Sequence, residues 1–205
     1  MKLIEKDKIT GETKLVDTVI NKDVRRGLQC LPDNYIDMII TSPPYWGLRN
    51  YKVDGQIGQE SSPEKYVETM RSVFSAAKRV LKDTGTLWLN LGDTYMSGGS
   101  PSRHFGYADD KNKKGRNIDF HEPQTNKHET IKPKDLVGIP WRVALALQQD
   151  GWYLRSDIIW HKPNAMPESA QDRPTRDHEY IFLFSKNQKY YYDADSIREP
   201  HTSLD

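Results

Sequence analysis

The residues best suited to chemistry lie together at positions 41–46, where the sequence reads Thr-Ser-Pro-Pro-Tyr-Trp. Pro43 and Pro44 fix the backbone, and each lacks an N–H group but keeps its carbonyl oxygen. Ser42 adds a hydroxyl group and Tyr45 adds an aromatic face. The stretch therefore offers hydrogen-bond acceptors on a rigid frame beside a stacking surface. These are the features needed to hold a flat base that carries an exocyclic amine.

The elements that must position this motif can be predicted from hydrophobic periodicity. Residues 36–41, directly before the prolines, form a compact apolar run that predicts a buried parallel strand. Ligands of open α/β sheets bind just beyond the carboxyl ends of such strands. The other predicted elements are a weak hairpin over residues 3–16, a short helix at 23–28, helices at 62–81 and 140–147, and strands at 86–91, 153–160 and 180–184. This order predicts an α/β fold with a largely parallel sheet.

Residues 92–133 show no helix or strand period and contain a basic cluster at 111–116. A structureless stretch of this length inside a compact domain is usually functional or disordered, so we predict a flexible polar loop insertion. Basic side chains in such a loop can follow the phosphates of a nucleic acid, or they can belong to a solvated loop. The predicted phosphate contacts are Lys113, Lys114 and Arg116.

The length and composition indicate one globular domain, or at most two small ones. The chain has 205 residues, 36% of them hydrophobic and 29% charged, with a formal net charge of +1. A near-neutral total neither demands nor excludes nucleic acid as a partner. Cys30 is the only cysteine, which we predict to be a small core residue, and no metal site is expected. The sequence shows no signal peptide and no membrane-spanning run, so a cytoplasmic location is predicted.

The motif and its surroundings resemble the DNA amino-methyltransferases, which act on cytosine N4 or adenine N6. Ser42-Pro43-Pro44-Tyr45 resembles their catalytic motif, and the longer string TSPPYWGLRNY at 41–51 also looks like members of the family. Later blocks are similar as well: GTLWLNLGD at 85–93, DIIWHKPN at 157–164 and RPTRDHEY at 173–180. The resemblance covers roughly residues 16–200 and implies a Rossmann-like fold that depends on S-adenosylmethionine.

The resemblance implies direct methyl transfer to a base that is flipped out of double-stranded DNA. Ser42 Oγ and the Pro43 carbonyl accept hydrogen bonds from the target amine, Pro44 completes the rigid motif, and Tyr45 stacks on the base. Methylation of cytosine C5 would need a cysteine nucleophile after a proline, a position that Cys30 does not have. Serine in the first motif position is commoner among cytosine-N4 enzymes, so cytosine N4 is favoured and adenine N6 is the alternative.

Other site residues follow from the same resemblance. Asp23, Thr41 and Asp93 are predicted to contact the cofactor, although Asp23 and Asp93 suit the cap of a helix equally well. Trp46 and Arg49, which extend the motif, are predicted to contact DNA.

The resembled family also holds S-adenosylmethionine with a glycine-rich loop, and no Gly-x-Gly sequence occurs in this chain. In the subgroup whose catalytic motif comes first, that loop and the target-recognition region follow the blocks seen here. We therefore expect residues 1–205 to be the catalytic half, as a fragment or one part of a split enzyme, with an incomplete cofactor pocket. Strand 36–41 would then be an edge, which favours self-association or pairing with a complementary C-terminal chain. A non-catalytic remnant that binds DNA or a partner is the alternative.

Overall fold

The computed structural model describes residues 19–96 and 128–199, together with the backbone of two short strands near the N-terminus. The strands are β1 (Glu5–Lys6), β2 (Thr13–Lys14), β3 (Ile36–Thr41), β4 (Leu81–Leu91), β5 (Tyr153–His161) and β6 (His178–Ser185). The helices are α1 (Val24–Gln29), α2 (Pro63–Val80) and α3 (Ile139–Gln149). β1 and β2 pair as an antiparallel hairpin. The predicted elements are therefore confirmed, with shifts at their ends.

Strands β3 to β6 form one sheet in the order β3-β4-β6-β5. β3 runs parallel to β4, whereas β6 is antiparallel to both β4 and β5. The prediction of a largely parallel sheet is wrong for the described residues. The reason is that no helix lies between β5 and β6 in the chain, and a connection without a crossover helix joins antiparallel neighbours.

Helices α2 and α3 cover one face of the sheet. Helix α2 begins as its sequence predicts, because the Ser62 side chain accepts a hydrogen bond from Lys65 N at 3.3 Å and Pro63 occupies the first turn. Its apolar stripe packs against alternate residues of β4 and β6. The core includes Tyr66, Met70, Phe74, Leu87, Leu89, Leu91, Val143, Leu147, Phe182 and Phe184.

Two parts of the chain that were predicted to be buried are exposed. Among the strands that the structure describes, β3 lies at an edge of the sheet and has no buried residue, and the side chains of Met38 and Ile40 are 52% and 72% exposed. The prediction of an edge is confirmed and that of burial is wrong, because within the described ranges no element covers this side of β3. Cys30 is also exposed rather than a core residue, since it ends α1, a helix without buried residues.

The two ends of the polar segment 92–133 are bonded to one another. Met96 N donates to Asp135 O at 2.8 Å, and Lys134 N donates to Met96 O at 2.9 Å. We call these three residues the loop base. Flexibility of the segment remains a prediction. The three predicted phosphate contacts lie outside the described residues: Lys113, Lys114 and Arg116.

Residues 19–96 and 128–199 include no helix with the length and apolar character needed to cross a membrane. In the same ranges, no group of three or more His, Cys, Asp or Glu side chains could hold a metal ion.

Candidate functional site

The topology brings four strand ends to one edge of the sheet. β3, β4 and β5 end there, and β6 begins there because it runs opposite to β4 and β5. A cleft of about 610 Å³ opens at this edge. Its walls include residues 42–45 and Arg49 after β3, Gly92 and Asp93 after β4, Lys162 after β5, and residues 176, 178 and 179 at the start of β6. All four predicted catalytic residues therefore line one cleft.

Contacts from Tyr66 and Gly58 hold the backbone of the motif, and two of its hydrogen-bond acceptors remain available in the cleft. Tyr66 on α2 donates its hydroxyl hydrogen to Pro44 O at 2.9 Å. Gly58, with a φ of +94°, passes so close that an added Cβ would lie 2.8 Å from Tyr45 O. Ser42 is exposed, and no hydrogen bond joins its hydroxyl to the described residues. With Pro44 O occupied, the Ser42 hydroxyl and the Pro43 carbonyl are the motif acceptors that can receive a ligand's N–H groups.

Tyr45 is fixed at both its ring and its hydroxyl group. The ring lies on Gly92, where an added Cβ would approach Tyr45 Cε2 to 2.5 Å. The hydroxyl faces two acceptors, Asn90 Oδ1 at 2.6 Å and Glu179 Oε2 at 3.0 Å. Burial raises the pKa of Tyr45 well above its ordinary value, and the nearby charge of Glu179 adds to the shift. The phenol therefore stays protonated and acts as a donor to this pair.

Glu179 supplies a fixed carboxylate at the hydroxyl group of Tyr45. Its other oxygen, Oε1, pairs with Lys162 Nζ. Burial acts to raise the pKa of Glu179, but the hydrogen bond and charge of Lys162, with the bonds to Tyr45 and Asn90, outweigh it and leave the pKa lowered. Asn90 is oriented in turn, because its Nδ2 donates to Tyr180 O at 3.1 Å. Glu179 is consequently an ionised carboxylate at neutral pH.

The three residues predicted to contact the cofactor occupy different environments. Thr41 is half-buried at the end of β3, directly before the motif. Asp93 lines the cleft, but its Oδ1 accepts the N–H groups of Thr94, Gly138 and Ile139 and so caps α3. The Asp23 carboxylate is exposed, caps α1 by accepting from Arg25 N at 3.1 Å, and is not among the residues that line the cleft. A cofactor role for the three residues remains a prediction.

Trp46 and Arg49, the two residues that extend the motif, also lie in different environments. Arg49 lines the cleft and is exposed, whereas Trp46 packs against the core with its Nε1 donating to Glu60 O at 2.9 Å. Contacts of either residue with DNA remain predictions.

The sequence prediction omitted the polar residues that surround Tyr45. Lys162, Arg176, Glu179 and Asn90 all lie within blocks that carried the family resemblance, but no individual role was assigned to them. The available signal was their position, since charged residues directly after one strand and at the start of another come together wherever those strand ends share an edge.

Comparison with known proteins agrees with this architecture. Residues 36–205 match the family model described as DNA methylase, of the N6 and N4 type. The Type II methyltransferase M.SmaI of Serratia marcescens is 55% identical over 182 residues, which are 89% of this chain and 60% of that protein. M.Cfr9I of Citrobacter freundii is 53% identical over 186 residues, 91% of this chain and again 60% of the relative. The chain belongs to the DNA methylase family, and it spans about 60% of the length of these relatives.

Solved structures share the fold at low sequence identity. The PvuII DNA methyltransferase (cytosine-N4-specific) superimposes with a TM-score of 0.57 and 17% identity, covering 86% of this chain and 51% of that one. A DNA modification methylase of Thermus thermophilus, complexed with S-adenosyl-L-methionine, gives a TM-score of 0.52 and 20% identity, covering 85% of this chain and 55% of that one. The mixed α/β sheet is therefore that of S-adenosylmethionine-dependent DNA methyltransferases.

Proposed function

We propose that this chain carries the catalytic site of a DNA amino-methyltransferase of a restriction-modification system. The reaction moves a methyl group from S-adenosylmethionine to the exocyclic amine of a base flipped out of double-stranded DNA, with cytosine N4 as the favoured target. One observation carries the proposal: two free acceptors, the Ser42 hydroxyl and the Pro43 carbonyl, lie in one cleft with the fixed ring of Tyr45.

The residues of the cleft have distinct tasks. The target amine donates its two N–H groups to Ser42 Oγ and Pro43 O, which directs the nitrogen lone pair away from the motif. Stacking on Tyr45 holds the base in plane and contributes about 1–3 kcal/mol. Ionised Glu179 lies in the same cleft, so its negative charge stabilises the positive charge that develops on the amine during transfer. The proton released from that amine can leave through the open mouth of the cleft. Alignment thus supplies most of the rate enhancement.

The end of β3 fits a cofactor in one respect. Met38 and Ile40 lie exposed on the same strand face just before Thr41, so an apolar surface is open beside the motif. Asp23 and Asp93 fit less well, because their carboxylates are already engaged as helix caps. When bound, S-adenosylmethionine supplies a methyl group on a sulfonium centre. Thr41 is the predicted cofactor residue whose place beside the motif best suits contact with it.

The exposed edge of β3 also provides a surface to which another protein chain can bind. The backbone groups on its outer side, which pair with no other described strand, can bond to a strand from a second copy or from a complementary C-terminal chain. We therefore propose that pairing at this edge accompanies activity. Methylation of cellular DNA would place the protein in the cytoplasm.

The test is to express the coding sequence that contains this chain in a bacterial host without DNA methylation. Mass spectrometry of nucleosides from the host DNA is expected to show N4-methylcytosine. Single-molecule sequencing then maps the methylated site. Replacement of Ser42 by alanine removes one of the two acceptors, and the rate is expected to fall about 100-fold, as for loss of a single oxyanion-hole donor.

Ser75 provides the matched control, because it is exposed on α2 and Ser75→Ala removes an equivalent hydroxyl. The control is expected to leave methylation unchanged. N6-methyladenine in place of N4-methylcytosine would establish the alternative target base. Methylation that persists in Ser42→Ala at the parental rate would refute the assignment of the motif, and DNA without methylated bases would refute the activity.

A further inference from the structure

The guanidinium group of Arg176 is a buried donor without a partner. Its Nη1 atom is the single buried side-chain nitrogen or oxygen, among the residues that the structure describes, that makes no hydrogen bond. The side chain is 15% exposed and lines the cleft. Burying a charged donor without an acceptor is costly, and such a group in a native protein is explained by strain, by a bound water or ion, or by a functional role. This atom therefore needs an acceptor that the described residues do not supply.

Asp93 forms an ion pair with Arg176, but it does not supply the missing hydrogen bond. Its Oδ2 lies 3.6 Å from Arg176 Nη1, which is too long for a hydrogen bond. Its Oδ1 accepts from the backbone N–H groups of Gly138 and Ile139 at the start of α3 and of the adjacent Thr94, each at 2.9 Å. Those bonds fix the carboxylate, whose side chain is 3% exposed. Asp93 consequently orients Arg176 and balances its charge without occupying Nη1.

Lys162, another cation of the cleft wall, is already paired with Glu179. Arg176 differs from it, because its Nη1 has no hydrogen-bond acceptor among the described residues. Arg176 lines the same cleft as Tyr45, and it forms an ion pair with Asp93, which directly follows the Gly92 on which the Tyr45 ring rests. A base that stacks on Tyr45 with its amine at Ser42 therefore has Arg176 within the same cleft.

We propose that Arg176 reads the carbonyl edge of a flipped cytosine and so determines which base is methylated. This inference rests on the proposed function and identifies its substrate base. Beside its N4 amine, cytosine presents two acceptors, N3 and O2. On the corresponding Watson–Crick edge, adenine presents one acceptor, N1, beside N6, followed by the C2–H group. The planar fork of arginine can donate to both cytosine acceptors, whereas adenine leaves one donor unpaired. An unpaired buried donor gives discrimination of roughly 10- to 100-fold or more.

The experiment compares two duplexes that carry the methylation site mapped in the host DNA. One has cytosine at the target position, and the other has a cytosine analogue that keeps the amine and N3 but lacks the O2 carbonyl. The protein from the coding sequence that contains this chain is expected to use the analogue roughly 10- to 100-fold less efficiently, in kcat/KM, than cytosine. A loss smaller than about threefold would show that O2 is not read and would overturn the inference without any variant.

Arg176→Lys assigns that loss to the residue, since it keeps the charge beside Asp93 but removes the planar fork. The variant is expected to use cytosine at least about tenfold less efficiently and to lose most of its preference over the analogue. Arg155→Lys is the control, because Arg155 lies over the Tyr190 ring outside the cleft, and it should keep the full preference.

An unchanged preference for cytosine over the analogue in Arg176→Lys would overturn the inference but leave the proposed function standing. Methyl transfer to adenine, or no transfer by the parent protein to either base, would overturn the proposed target or activity and the inference with it. If Arg176→Lys fails to fold, as judged by thermal unfolding, the same comparison is made with Arg176→Gln. The analogue result for the parent protein decides the matter if neither variant folds.

Discussion

Gly92→Ala is the substitution that most directly tests how the site holds its stacking ring. An added Cβ would lie 2.5 Å from Tyr45 Cε2 and 2.6 Å from Cδ2, whereas ordinary contacts begin near 3.4 Å. The ring must therefore move by roughly 1 Å, and a misplacement of that size can reduce an enzymatic rate about 100-fold. This corresponds to about 2.7 kcal/mol of lost transition-state stabilisation.

The same movement would stretch the bonds from the Tyr45 hydroxyl to Asn90 and Glu179, so the effect should appear in kcat as well as in KM. Overpacking is also expected to lower the free energy of unfolding by about 1–3 kcal/mol. The assay is single-turnover transfer of a labelled methyl group, measured together with urea unfolding. Both measurements use the protein from the coding sequence that contains this chain.

Gly27→Ala is the matched control for this prediction. Gly27 lies in α1, and an added Cβ would meet only Ile20 Cγ2, at an ordinary 3.9 Å. The control should leave the rate unchanged and stabilise the helix by roughly 0.5–1 kcal/mol. If Gly92→Ala is folded and transfers methyl groups within threefold of the parent, the Tyr45 ring does not position the base and the reasoning fails.

Three further predictions concern neighbouring interactions. Tyr45→Phe removes the hydroxyl that faces Asn90 and Glu179, and Glu179→Ala removes one of those two acceptors, so each is expected to slow transfer about tenfold and the combined loss should be smaller than additive; additive losses in a double-mutant cycle would separate their roles. Ser62→Ala removes the cap of α2 and should lower the unfolding free energy by about 1 kcal/mol, measured in urea against Ser75→Ala. The hydrogen bond from Arg71 lowers the pKa of Asp150, so the stabilisation that it gives is present above the ordinary carboxylate pKa and is lost as pH falls through the lowered value. In urea unfolding between about pH 7 and pH 3, the unfolding free energy of Asp150→Asn should therefore fall less steeply toward acid pH than that of the parent. Equal slopes in the two proteins would contradict this prediction.

The sequence predicted the position of the motif because strand β3 and its two prolines are signalled locally. The start of α2 was equally readable, since Ser62 and Pro63 are strong local signals for a helix N-terminus. Strand direction was not readable, because periodicity identifies a strand without its neighbours. The antiparallel placement of β6 between β4 and β5 depends on pairing between residues far apart in the chain.

The same difference between local and long-range signals explains which site residues were predicted. Ser42 to Tyr45 are contiguous and could be found by motif, whereas Glu179 reaches Tyr45 across 134 positions of sequence. The burial of β3 was predicted wrongly for a related reason: its apolar composition is that of a covered strand, but coverage is supplied by other elements. Hydrophobicity therefore indicated which side chains favour burial, but it did not indicate whether another described element covers them.

The loop base begins a segment of this methylase whose length and sequence can vary with little effect on the rest of the fold. Met96 is bonded to Lys134 and Asp135, so the entry and exit of the intervening segment are held side by side independently of that segment's length. The entropic cost of closing a longer loop rises only slowly with length. Insertions, deletions or exchanged segments between Met96 and His128 should therefore leave the cleft geometry intact, because the core residue Ile131 and the contact of His128 with Glu64 lie outside that stretch. Natural relatives and designed chimaeras could then acquire new surface contacts here while the chemistry stays unchanged.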